Sequence, residues 1–119
     1  MVESLKILVV DDNEALCGNI SAILELKGYA ATKAYNGKNA IELFKKNKYD
    51  LVLLDIKLSD ISGIEVLKIL KGLAPDVEII MLTAFAEDAF NDNDLKAYNF
   101  EIMQKPFDFD DLLAKIKAI

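Results

Sequence analysis

The sequence has no histidine, no arginine and no tryptophan, and only one cysteine, Cys17. Without histidine there is no Ser-His-Asp or Cys-His catalysis and no imidazole-ligated metal. A single cysteine can form neither an internal disulfide nor a zinc site of the usual Cys/His kind. Without arginine the bidentate phosphate fork is missing, so all 14 basic residues are lysines. The 20 acidic residues leave a net charge of -6, which argues against direct nucleic-acid binding or an anionic membrane as partner. No apolar run reaches the ~18 residues of a membrane span. Leu5–Val10 is too short for a signal peptide and runs straight into acids, so a cytoplasmic protein is expected. What remains is chemistry by carboxylates, hydroxyls, lysine and a hard metal ion.

The 119 residues suit one domain, 1–119, and the 53% hydrophobic content suffices for a core. Short branched apolar runs occur at Ile7–Val10, Leu51–Leu54 and Ile79–Leu82. They have the pattern of strands buried on both faces, as in a parallel sheet. Ala30–Ala34 and Glu101–Gln104 are weaker candidates. Helical stripes fill the gaps. The first is Leu16, Ile20, Ile23 and Leu24, closed by Gly28; the second is Ala40, Ile41 and Phe44, with Lys45, Lys46 and Lys48 on a solvated face. The third is Ile64, Leu67 and Leu70, ending near Gly72 and Pro75. The last is Phe109, Leu112, Leu113, Ile116 and Ile119, with Asp108 as N-cap. Asn91-Asp92-Asn93-Asp94 makes any helix between Phe85 and Tyr98 short or irregular. The result is five βα units, an α/β three-layer sandwich with right-handed crossovers and no linker or second domain.

Polar residues collect at the carboxyl ends of the strands, where ligands bind in open parallel sheets. The first strand ends in Asp11-Asp12, the third in Asp55 and the fourth in Thr83; Lys105-Pro106 follows the fifth. In a 2-1-3-4-5 strand order these residues share one cleft. Three neighbouring carboxylates repel one another, and a divalent cation resolves the conflict. All-oxygen ligands suit Mg²⁺. Taken alone, Asp12 or Asn13 reads equally well as an N-cap, and Asp55 as a loop acid. Together they favour a site. A carboxylate at a strand end can attack phosphorus to give an acyl phosphate. Thr83 can donate to a phosphoryl oxygen. Lys105 offers a point charge, held by an X-Pro bond that can be cis. Cys17, Met81 and Met103 read as packing residues.

These pieces together resemble the receiver domain of two-component response regulators, over nearly the whole chain. They are Ile7–Asn13, Leu53-Leu54-Asp55-Ile56-Lys57-Leu58 with Gly63 eight residues past Asp55, Leu82-Thr83-Ala84 and Lys105-Pro106-Phe107. The resemblance implies a flavodoxin-like (βα)5 fold. It implies Asp55 as phosphoacceptor, and Asp12, Asp11 (mainly through water), Asp55 and the Lys57 backbone carbonyl around Mg²⁺. Thr83 and Lys105 would hold the phosphoryl oxygens. A histidine kinase or phosphotransfer protein would be the donor, and a downstream protein or an output domain the target. Such a chain is a regulator that catalyses only its own phosphotransfer and autodephosphorylation.

Four positions depart from the family pattern. Ser59 stands where proline is frequent, Tyr98-Asn99 where Gly-Ala is frequent, and Ile102 where an aromatic often switches. Lys57 and Phe85 occupy positions that tune hydrolysis, with Phe85 expected to shield the acyl phosphate. The partner surface is expected near Asn13, Glu14, Leu16 and Cys17. The alternative is a receiver-like interaction module that works without phosphorylation. A flavodoxin would need a Gly- and hydroxyl-rich loop after the first strand, and a haloacid-dehalogenase-type phosphatase an Asp-x-Asp there; neither is present.

Overall fold

The computed structural model describes residues 5–84, 87, 91 and 93–119. Five strands form one parallel sheet: β1 (Lys6–Val10), β2 (Ala30–Ala34), β3 (Leu51–Leu54), β4 (Glu78–Thr83) and β5 (Glu101–Gln104). Their spatial order is β2-β1-β3-β4-β5, the order expected. The helices are α1 (Glu14–Leu26), α2 (Gly37–Lys46), α3 (Gly63–Leu73) and α4 (Phe109–Lys117). Between β4 and β5, Asn93–Ala97 form a 3₁₀ turn; most of the stretch from Phe85 to Asp92, where a short or irregular helix is expected, lies outside the described residues. No described helix is long and apolar enough to cross a membrane.

Side chains alternate across a strand, and the alternation divides the apolar runs into two cores. Leu8, Val10, Val52, Leu54, Ile79 and Met81 face α2 and α3, meeting Ala40, Phe44, Val66, Leu67 and Leu70. Ile7, Val9, Leu51, Leu53, Ile80 and Leu82 face α1 and α4, meeting Cys17, Ile20, Leu24, Leu112, Leu113 and Ile116. Burial on both faces is why these strands read as continuous apolar runs. The weaker β2 lies at the sheet edge, where only one neighbour orders it. Ile119, expected to extend the last stripe, lies beyond α4 and is 45% exposed.

Local capping sets the helix ends. Asn13 caps α1, its side chain accepting from the Leu16 N–H; Asn36, Ser62 and Asp108 do the same for α2, α3 and α4. At the far end of α1, Gly28 adopts φ +92°. The Gly28 N–H donates to the Glu25 carbonyl and the Tyr29 N–H to the Leu24 carbonyl. This is the Schellman arrangement, and its left-handed residue is where glycine costs least.

Candidate phosphorylation site

Register places the acids. Val10 pairs with both Leu54 and Ala34, so the next residues, Asp11 and Asp55, emerge side by side. The ladder continues one step beyond the strands: Asp55 N–H donates to the Val10 carbonyl at 3.0 Å and Asp11 N–H to the Ala34 carbonyl at 3.1 Å. On the other side of β3, Lys105 N–H donates to the Thr83 carbonyl at 2.8 Å. The Lys105–Pro106 peptide is cis.

Asp11, Asp12 and Asp55 each present a carboxylate oxygen within 4.8 Å of the others. Asp11 and Asp55 are buried and Asp12 is exposed. Lys105 Nζ reaches into the group, 2.6 Å from Asp11 Oδ2 and 3.2 Å from Asp55 Oδ2. The second Asp11 oxygen accepts from the Asn13 N–H at 2.9 Å. Thr83 is fully buried at the end of β4. The structure thus brings Asp11, Asp12, Asp55, Thr83 and Lys105 to one end of the sheet. Lys57 follows on the loop, with its side chain exposed and its backbone N–H bonded to the Asp55 carboxylate. Phe85 lies outside the described residues.

The electrostatics follow from the packing. Burial raises the Asp55 carboxyl above its ordinary value; the Lys105 charge opposes that, and the Asp11 charge adds to it. Burial alone would lower the Lys105 ammonium, but its hydrogen bonds and attraction to Asp11 and Asp55 raise it on balance. One ammonium among three acids leaves a deficit of positive charge. All-oxygen, hard donors at this spacing fit Mg²⁺, which tolerates few protein ligands and keeps water.

Two further residues complete the site: Gly63, whose spacing from Asp55 is part of the resemblance but whose contact the sequence does not show, and Asp60, which carries no evident signal in the sequence. A Cβ on Gly63 would lie 1.9 Å from the Asp55 carbonyl oxygen, and Gly63 N–H donates to the Ile56 carbonyl at 2.7 Å. The start of α3 therefore lies directly against the peptide that carries Asp55, and only glycine fits. Asp60, on the same loop, takes the N-terminus of α2. Its partners lie more than twenty positions away, beyond the reach of local pattern.

Beside Lys105 lies an apolar hollow of about 360 Å³ lined by Leu16, Ala84, Pro106, Phe107 and Phe109. Phe107 and Phe109 meet edge to face, with centroids 5.7 Å apart. Of the expected partner surface, Leu16 lines this hollow, whereas Cys17 is fully buried against the sheet and offers no contact. Burial, then the Asp11 charge, pushes the Cys17 thiol up to about 11. Ile102 is half-buried and packs with Tyr98 and Phe100 against the α2–α3 core.

The comparisons with known proteins agree with this geometry. The response regulator receiver domain family matches residues 7–117. The transcriptional regulatory protein ZraR of Escherichia coli K12 is 33% identical over 115 residues, covering 97% of this chain and 26% of its own length. The response regulator TrrA of Thermotoga maritima, solved with Mg²⁺-BeF, superposes with a TM-score of 0.86 at 36% identity, covering 96% of this chain and 97% of that one. TrrA solved in complex with the histidine kinase ThkA gives a TM-score of 0.84 at 36% identity, covering the same shares of the two chains. This chain belongs to the response regulator receiver domain family. It spans about a quarter of the length of ZraR.

Proposed function

We propose that this domain accepts a phosphoryl group on Asp55 in a Mg²⁺-dependent reaction and thereby changes its binding to a protein partner. The observation that carries this reading is the cluster of Asp11, Asp12 and Asp55 oxygens within 4.8 Å, with Lys105 bridging Asp11 and Asp55. Asp11, Asp12, Asp55 and the Lys57 carbonyl would hold the ion. Bound there, Mg²⁺ supplies the positive charge that three acids and a phosphoryl group require. The phosphodonor is a histidine kinase or phosphotransfer protein, by analogy with the TrrA–ThkA complex.

In the transfer, an ionised Asp55 oxygen attacks phosphorus while the bond from phosphorus to the donor nitrogen breaks. The products are an aspartyl phosphate and a free donor imidazole. Lys105 gives up its contact with the Asp55 carboxylate and takes a phosphoryl oxygen; the Thr83 hydroxyl takes another. The apolar hollow at Leu16, Phe107 and Phe109 seats the donor beside Lys105. The domain turns over only its own phosphate, so it is a regulator rather than an enzyme acting on an external substrate.

Incubation with Mg²⁺ and acetyl phosphate, followed by intact-mass measurement, tests the reading. One phosphoryl group should appear, and be absent from Asp55→Asn and from a sample treated with chelator. Retention of the added mass in Asp55→Asn would refute Asp55 as acceptor.

A further inference from the structure

The end of β2 and the start of α2 touch the two segments that carry the buried acids. On one side the Ala34 carbonyl holds the Asp11 N–H at 3.1 Å. On the other, Asp60 Oδ1 accepts from the Gly37 N–H and Asp60 Oδ2 from the Lys38 N–H, both at 2.8 Å. These are two of the four donors that a helix leaves unpaired at its start, and the helix dipole favours an anion there. The contact is steric as well as polar. A Cβ on Gly37 would fall 2.5 Å from Ile61 Cγ1 and 2.9 Å from Val66 Cγ2. Ile61 thus packs onto the bare backbone of Gly37 while Asp60 grips its N–H.

The segment from Asp55 to Gly63 is consequently anchored at both ends. Gly63 presses against the Asp55 carbonyl and donates to Ile56, and Asp60 ties the outer turn to α2. Lys57 lies between the anchors, its N–H bonded to the Asp55 carboxylate. Asp60 is exposed and is not part of the acid cluster. Desolvation pushes its carboxyl up, but the N–H groups of Lys38, Gly37, Ile61 and Asp60 itself together hold it below the ordinary value, so the latch stays charged at neutral pH.

We propose that Asp60 is a positioning residue for the phosphorylation site, its latch on the N-terminus of α2 holding segment 56–62 so that Lys57 and Asp55 keep the placement that Mg²⁺ requires. This rests on the reading of Asp55 as a Mg²⁺-dependent acceptor. Asp60 stands outside the acid cluster that would hold the ion. Its loss loosens the ligands without removing one.

Mg²⁺ titration of ¹⁵N-labelled protein, followed by amide shifts, tests it on wild type, Asp60→Ala and Asp60→Asn. Thermal unfolding of the metal-free proteins runs alongside. Asp60→Ala should raise the Mg²⁺ Kd about three- to fivefold, less than loss of a direct partner of a ligand would. Asp60→Asn keeps one acceptor oxygen and should fall between. At saturating Mg²⁺, acetyl phosphate should still label all three. A lower Tm with an unchanged Kd would make Asp60 a helix cap only and overturn the proposal. If Asp60→Ala does not fold, Asp60→Asn decides in the same way. A wild-type protein showing neither Mg²⁺ binding nor a phosphoryl gain would overturn the reading of the site itself, and this inference with it.

Discussion

Strand β3 is bracketed by two aspartates in opposite situations. At its amino end, Asp50 is exposed and complementary to its surroundings. Its carboxylate accepts from the Lys6 N–H at 2.8 Å, its N–H donates to the Lys6 carbonyl at 2.8 Å, and its carbonyl accepts from the Glu78 N–H at 3.3 Å. Asp50 stitches β1, β3 and β4 together. At the carboxyl end, Asp55 is buried, crowded by Asp11 and Asp12 and relieved by one lysine. The same residue type closes a sheet at one end and holds it in electrostatic tension at the other. Tension of that kind marks a functional site, because it costs stability that packing elsewhere must supply.

Four measurements would break or sharpen this contrast. The largest effect is expected from Gly63→Ala, which forces a methyl into the Asp55 carbonyl. It should cost about 4 kcal/mol or more, or prevent folding, as read by urea denaturation. A loss below about 1 kcal/mol would mean that α3 can back away from the site.

Cys17 comes next. With its thiol near 11 rather than 9.0, its thiolate fraction at neutral pH is down about a hundredfold. Iodoacetamide should therefore label native protein at least that much more slowly than urea-unfolded protein. Asp11→Asn removes the charge that adds to burial in raising the thiol, and should recover a small part of the rate.

The third is Asp55→Asn in metal-free buffer. Folding raises the Asp55 carboxyl above its ordinary 3.8, so the carboxylate form works against the fold. The asparagine variant should be more stable at pH 7. Its advantage should vanish at pH below 3.8, grow as pH rises through the folded-state value and level off above it. Equal stability at pH 7 would show that Lys105 fully compensates.

The smallest is Asp50→Ala, which loses one exposed hydrogen bond to the Lys6 N–H and should cost about 0.5–1 kcal/mol at neutral pH. Thermal unfolding of Asp50→Ala beside Asp55→Asn then gives shifts of opposite sign from the two ends of one strand.

Much of this was legible in the sequence because the signals were local. Ile7–Val10 and Leu51–Leu54 declared buried parallel strands by composition, and the acids and Thr83 that follow the apolar runs marked the carboxyl edge. Asp108 announced its helix as an N-cap. Cys17 was legible as a packing residue, and it is buried; that Leu16 beside it lines a hollow shows only in the packed helix, since adjacent helix positions point in different directions. Nothing near Gly37 pointed to Asp60, and nothing around Gly63 revealed the carbonyl it meets.

The sequence by itself determined the alternation of strands and helices, the chemistry available and the residues that could carry it. Those depend on side-chain type and on periodicities of two and 3.6 residues, which act within a few positions. Tertiary structure alone decided the distances between Asp11, Asp55 and Lys105, the lift in the Asp55 carboxyl, the glycine requirement at 63 and the Asp60 latch. Each of these is a contact between segments far apart in the chain, and such contacts exist only once the sheet has set its register.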